Sequence, residues 1–265
     1  MRRAPGVVVI ALAAAMGACA PALFVPPVGP GEPAPDAAAA WADATRACRG
    51  VTSYKGSLRV SGHISGDRIP TTVTIDTGAA PTGLRLEAHA AGRAIFQMAG
   101  TAREATLYLD DGHRYATGKP EELTEALVGV RLGPARWLAL LTGCVATPPD
   151  FVSGVRYGQD LRIATASANI FLSTMDGAWH AHHALFDGLV VTYERFTAAV
   201  SSFPSEWTLI SEAGRDPSVS LSIAVDNATA GQPLSSGVFT INLPADAVPM
   251  TIDELRASGP LRKKG

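Results

Sequence analysis

The sequence predicts a mainly β protein of the α+β class, a single curved antiparallel sheet with one helix before it and two helices inserted between two sets of strands. Three observations lead there. Short runs with apolar residues at alternate positions recur at close spacing from residue 54 to 116 and again from 151 onward. The period switches to that of an amphipathic helix in two short inserted stretches, 119–128 and 133–141. Turn sequences such as Asp110-Asp111-Gly112, Asp176-Gly177 and Asp187-Gly188 separate neighbouring runs in the manner of hairpins.

Taken in chain order, residues 36–49 are alanine-rich, open with Asp36 as an N-cap and stop at Gly50 with two arginines in the last turn, a complete helix signature. Residues 54–64 place Tyr54, Leu58, Val60 and Ile64 on one face at period two and predict a long, half-buried strand. Strands follow over 71–76, 84–88, 94–99 and 105–109, and 113–116 returns after the Asp110 turn, giving a meander with one apolar face. The helix over 119–128 carries Pro120, Glu121 and Glu122 in its first turn and repeats apolar residues at Leu123, Ala126 and Leu127. The helix over 133–141 repeats that design and ends near Gly143. Strands resume over 152–157, 161–166, 169–174, 178–186 and 189–196, then 218–225 and 237–243, with a short closing helix over 251–257.

The N-terminus reads differently. Arg2 and Arg3 precede an apolar run over 7–15, which has the length of a signal-peptide core and is too short for the ~20 residues a bilayer span needs. No second run approaches that length. Met16-Gly17-Ala18-Cys19 resembles the bacterial lipobox. That resemblance implies cleavage after residue 18, a diacylglycerol on the Cys19 thiol and a further acyl chain such as palmitate on its amino group. Three chains bury many methylenes at ~0.8 kcal/mol each, an effectively permanent anchor. Ala20 stands where inner-membrane retention commonly needs aspartate, so the resemblance to Gram-negative lipoproteins implies the periplasmic face of the outer membrane. Residues 19–35, rich in proline and glycine, are expected to form a lipidated, extended tether, leaving 36–265 as the folded domain.

Net charge is −2, without a basic cluster that would suggest nucleic acid as a partner. Arg262-Lys263-Lys264 is a solvated tail, or else a contact for anionic headgroups. If Cys19 is acylated, Cys48 and Cys144 remain as one pair in an oxidising compartment, which predicts a disulfide rather than two buried thiols. It would close a loop of about 97 residues, worth ~4 kcal/mol in the chain-entropy model. His180 and His182 share a predicted strand face, but the acids near them, Asp176 and Asp187, sit in flanking turns, so exposed strand histidines are expected rather than a metal site. Neither a Gly-x-Ser-x-Gly elbow, a phosphate-cradling loop nor a paired metal motif occurs. No catalytic residue, metal or cofactor is therefore predicted, and an enzyme is the least favoured class.

Four segments in series resemble the LolA/LolB-type lipoprotein-carrier superfamily, most nearly its LolB-like branch: 54–62, 84–96, 115–129 and 137–143. The resemblance implies an unclosed β-barrel whose concave face is covered by a helical lid and shelters a lipid or the acyl chains of a lipoprotein. It would place Leu58, Val60, Leu84, Leu86, Phe96, Met98, Leu107 and Leu109 on the cavity wall, and Leu123, Leu127, Trp137, Leu138 and Leu141 on the lid. The alternative is a tethered envelope scaffold of the same fold, in which these residues are simply core and the partner is a protein. The loop that carries an apolar membrane-inserting tip in the acceptor corresponds here to His89-Ala90-Ala91-Gly92, which lacks one. Replacement of Cys19 by serine is expected to abolish acylation and move the protein out of the membrane fraction, read by intact mass and fractionation.

Overall fold

The computed structural model describes residues 24–145, 150–196, 203–211 and 218–261. Cys19, the proposed signal peptide over 1–18 and the basic run Arg262-Lys263-Lys264 lie outside the described residues. No described helix is long and apolar enough to cross a membrane.

The elements are β1 (Glu32–Pro33), α1 (Ala37–Ala44), β2 (Tyr54–Ile64), β3 (Asp67–Arg68), β4 (Val73–Ala80), β5 (Gly83–Ala90), β6 (Arg93–Thr101), β7 (Ala105–Leu109) and β8 (Arg114–Gly118). Then come α2 (Pro120–Val128), α3 (Pro134–Thr142), β9 (Phe151–Tyr157), β10 (Asp160–Thr165), β11 (Asn169–Met175), β12 (Ala178–Phe186), β13 (Leu189–Phe196), β14 (Pro204–Ser211), β15 (Val219–Ala230), β16 (Val248–Pro249) and α4 (Ile252–Ser258). They form a single sheet in the order β1-β9-β10-β11-β12-β13-β14-β15-β2-β4-β5-β6-β7-β8-β16, with β3 paired to β2. The path is open rather than closed into a barrel, and its pairs are antiparallel except β16 with β8. The predicted fold, a curved antiparallel sheet with a preceding helix and two inserted ones, is the one observed.

Two meanders are fused by β15, which runs antiparallel to β2 from Val219↔Ile64 to Ala230↔Tyr54. A bulge at Asp226 turns that side chain onto Arg59, 2.8 Å away. Register then carries one apolar face across the strands. Leu58 opposes Ile75, which opposes Ala88, then Phe96, then Leu109. One row along, Thr77, Leu86, Met98, Leu107 and Ala116 are aligned in the same way. Because side chains alternate, a slip of one residue would expose both rows, so burial of this face fixes the pairing.

Several expectations are corrected. The helix predicted over 36–49 is α1 followed by a 3-10 turn at Arg46–Cys48. Asp36 makes no side-chain cap bond and instead pairs with Arg156 at 2.6 Å, while Thr45 Oγ1 donates to the Trp41 carbonyl as the helix ends. Strand β14 was not anticipated; its Trp207 and Leu209 alternate with Glu206 and Thr208, and Pro204 sits at its first residue, where no ladder N–H is lost. The strand expected over 237–243 is absent. A 3-10 turn occupies Ser236–Phe239, and the carbonyls of Val238 and Thr240 accept from the Arg85 guanidinium at 3.1 and 2.9 Å rather than from a neighbouring strand. The Phe239 ring lies where a Cβ on Gly83 would come within 2.7 Å, so the segment crosses the outer face of the sheet at a position only glycine leaves open.

Of the segment expected to be a tether, the described part, from residue 24 on, lies against the sheet. Glu32 and Pro33 pair with Arg156 and Val155 of β9, covering one edge of the sheet as β16 covers the other. The Tyr157 hydroxyl donates to the Gly29 carbonyl at 2.8 Å, and Phe24 stacks on His183 with ring centroids 3.7 Å apart. A proline-rich segment cannot build a strand of its own, but its free carbonyls and one aromatic ring can dock on a sheet that already exists.

Burial, then the neighbouring His182, pushes the His183 pKa from its usual 6.5 down to about 3. The folded protein thus keeps His183 neutral while the unfolded chain takes up a proton below about pH 6.5. Stability contributed by this group is present above pH 6.5 and lost progressively as pH falls toward 3. His183→Gln is expected to flatten that part of the stability profile, measured by urea unfolding between pH 7 and 4.

Candidate functional site

The concave face is the candidate site. Leu58, Val60, Leu84, Leu86, Phe96, Met98, Leu107 and Leu109 are all buried there, within one continuous core. Of the residues predicted to cover them, Leu123, Leu127, Leu138 and Leu141 are buried and Trp137 is partly buried against the same core. Wall and cover pack directly on each other.

The cover comes from short helices. Pro120 and Pro134 start α2 and α3 at positions where a missing N–H costs nothing. Gly129 and Gly143, both left-handed, stop them after nine residues each. Thr124 Oγ1 receives the Leu132 N–H at 2.9 Å, which folds the α2–α3 connection back against α2. On the other half of the sheet α1 packs against β9 and β12. Its role as part of the cover was not read from the sequence, although its buried Ala37, Ala40 and Trp41 carry the signal.

Helix α3 is pinned to both halves of the sheet. Trp137 Nε1 donates to Thr77 Oγ1 of β4 at 3.0 Å, and the Tyr193 hydroxyl of β13 donates to the Leu140 carbonyl at 3.3 Å. Burial raises the Tyr193 pKa well above its ordinary value, so the hydroxyl stays a donor. Arg136 at the start of α3 pairs with Asp187 at 2.7 Å and lies over the Phe186 ring. At the other end Cys144 is bonded to Cys48, with Cα atoms 5.6 Å apart, tying α3 to the turn after α1. Sequence reasoning missed Thr77, Tyr193 and Arg136. A threonine or tyrosine at an inward strand position was the available signal, but its partner is distant in sequence.

The interior also holds unsatisfied donors. Trp41 Nε1, Tyr54 Oη and Trp207 Nε1 are buried without a hydrogen-bond partner, each a cost of about 1–3 kcal/mol.

Access from solvent is local. A cleft of about 640 Å3 between α2, α4 and the β2–β3 turn is lined by Ile64, Glu125, Leu127, Asp253 and Arg256, of which Ile64 and Leu127 belong to the buried core. A cleft of about 810 Å3 lies on the outer face instead, between β2, β4, β5 and residues 234–242, with Lys55, Asp76, Arg85 and Glu87 in its lining. Arg114 of β8 pairs with Glu254 of α4 at 2.8 Å beside the first cleft. The Glu254 carboxylate also accepts from the Thr251 N–H, the main reason its pKa is held down to about 2.

The predicted histidine face is broken. A bulge in the β11–β12 pairing makes His182 the extra residue, because Phe171 opposes His183 and Leu172 opposes Ala181. The His180 ring then lies beside Phe196 and the His183 ring beneath Phe24. Among the described residues no three of His, Cys, Asp and Glu are grouped to hold a metal ion. Between β5 and β6 the chain makes only the two-residue turn Ala91-Gly92, with φ of 48° and 76°, so no apolar tip projects from residues 89–92.

No family model matches the chain, and no curated protein does either. Solved structures of similar outline include a LolA superfamily protein from Nitrosomonas europaea, at 8% identity and TM-score 0.48, covering 77% of this chain and 97% of that one. A DUF1329 family protein from Desulfovibrio piger matches at 9% identity and TM-score 0.46, with coverage of 77% and 97%. The Mycobacterium tuberculosis lipoprotein LppX matches at 13% identity and TM-score 0.33, with coverage of 76% and 98%. Likenesses this coarse transfer neither a ligand nor a role.

Loss of the bridge through Cys48→Ala with Cys144→Ala is expected to lower stability by about 2–4 kcal/mol. The check is the urea midpoint of the double variant against the oxidised parent.

Proposed function

We propose that this chain is a lipid-anchored protein of the bacterial envelope that binds an acyl chain, of a free lipid or of another lipoprotein, between its concave sheet and the helices covering it. The observation that carries this reading is the α2–α4 cleft, whose lining includes Ile64 and Leu127, buried members of an apolar face that only short helices cover. Outward movement of α2 and α4 would open that face from the β8 edge, and each Å2 of acyl surface removed from water contributes ~25 cal/mol. The unpaired Trp41, Tyr54 and Trp207 donors would meet ester or carboxylate oxygens. Binding and release need no cofactor and no bond-making step; transfer would follow differences in affinity. The lipobox-like Cys19 and the residue after it support attachment at the periplasmic face of the outer membrane.

A second reading is a tethered scaffold that binds another envelope protein along a sheet edge or its helices, with the interior permanently filled. The direct packing of wall on cover, with α3 pinned at both ends, favours it. The two readings separate on one variant. Leu86→Trp is expected to cost ~1–3 kcal/mol by overpacking under either, but to abolish acyl-chain uptake only under the first. The measurement is native mass spectrometry of the mature, unacylated chain after incubation with fatty acid and phospholipid. Uptake by the parent and its loss in a folded Leu86→Trp variant supports lipid binding; a parent that takes up nothing supports the scaffold.

A further inference from the structure

We propose that residues 24–33 are a docked strap that holds the outer face of β11 to β13 against the lipid bilayer, with Val25 and Val28 as its membrane contacts. This rests on the reading that Cys19 is acylated. Phe24 stacks on His183 at 3.7 Å and meets Phe171 edge-on at 4.9 Å. Phe171 is only 3% exposed, yet it lies outside the core cluster that takes in its neighbours Ile170 and Leu172. Further along, the Tyr157 hydroxyl holds the Gly29 carbonyl, and Glu32 and Pro33 join the edge of β9. The strap is thus attached at its start, middle and end.

The first attachment sits five residues after Cys19. Fully extended, five residues reach at most ~18 Å. A chain free through residue 35 would reach about three times as far. An acylated Cys19 therefore confines Phe24, and with it the strand face beneath, to within about 20 Å of the hydrocarbon boundary. The strap's outward side chains match such a neighbour. Val25 is 75% exposed and Val28 is 95% exposed, two of the few large apolar side chains that the described residues leave in water. Isolated on a protein surface they would be unremarkable. Placed at the headgroup boundary by a nearby acyl anchor, they bury apolar area at no further cost in translational freedom.

The test uses the full acylated chain in liposomes of phosphatidylethanolamine and phosphatidylglycerol that carry a headgroup quencher. A fluorophore is placed on Glu194→Cys in β13, on the same side as the strap, or on Arg93→Cys at the start of β6, remote from it in the sheet. With Cys19 acylated and Cys48 bonded to Cys144, the new cysteine is the free thiol. Quenching at position 194 is expected to exceed that at 93 several-fold. Phe24→Ala should collapse the difference, and Phe24→Trp should preserve it. Equal quenching at the two positions in an acylated parent overturns the strap proposal alone. An intact mass without acyl groups on Cys19 overturns the anchor reading and the strap proposal together, so the two failures are told apart.

Discussion

The pairing of β15 with β2 is the constraint on which the rest of the molecule depends. It spans the whole of β2 and makes one sheet of two meanders that would otherwise each have a free edge. A single sheet of this width, with one apolar face, cannot bury that face against itself without closing, and this one stays open. Helices must therefore supply the other side of the core. That requirement explains why the chain interrupts its strands with α2 and α3 between the two meanders, where a short insertion can fold back over both.

A cover of short helices is intrinsically weak, since helices of nine residues have little stability of their own. The structure compensates with specific pins: Trp137 on Thr77, Tyr193 on the Leu140 carbonyl, Arg136 on Asp187 and the Cys48–Cys144 bond. The pins concentrate on α3. Helix α2 lines the cleft shared with α4 and packs on α4, which the exposed Arg114–Glu254 pair, a small contribution in water, ties to β8. The side-chain pins of the cover to the sheet thus lie on α3, while the α2 side borders a cleft whose lining includes the core residues Ile64 and Leu127.

Both ends of the described chain serve the sheet rather than stand apart from it. The N-terminal segment crosses the outer face and closes the β9 edge, while the segment after β15 crosses the outer face in the other half, held by Arg85, before closing the β8 edge through β16. Open sheets present unpaired N–H and C=O groups at their edges, and here the same proline-containing ends that cannot form strands alone answer that need.

By itself the sequence determined the elements whose information is local. Period-two alternation located β2, β7, β12 and β13, and proline and glycine bounded α2 and α3, because side-chain spacing and backbone chemistry act within a few residues. That Leu58, Val60, Leu84, Leu86, Phe96, Met98, Leu107 and Leu109 are apolar and turned inward was legible for the same reason. Whether they line a space or fill one was not, since a wall and a core have identical patterns. Tertiary structure decided what depends on a distant partner: the loss of a strand over 237–243 to the Arg85 guanidinium, the bulge that separates His180 from His182, and the docking of Phe24 on His183. Each is a contact between segments far apart in the chain, formed only once the sheet has brought them together.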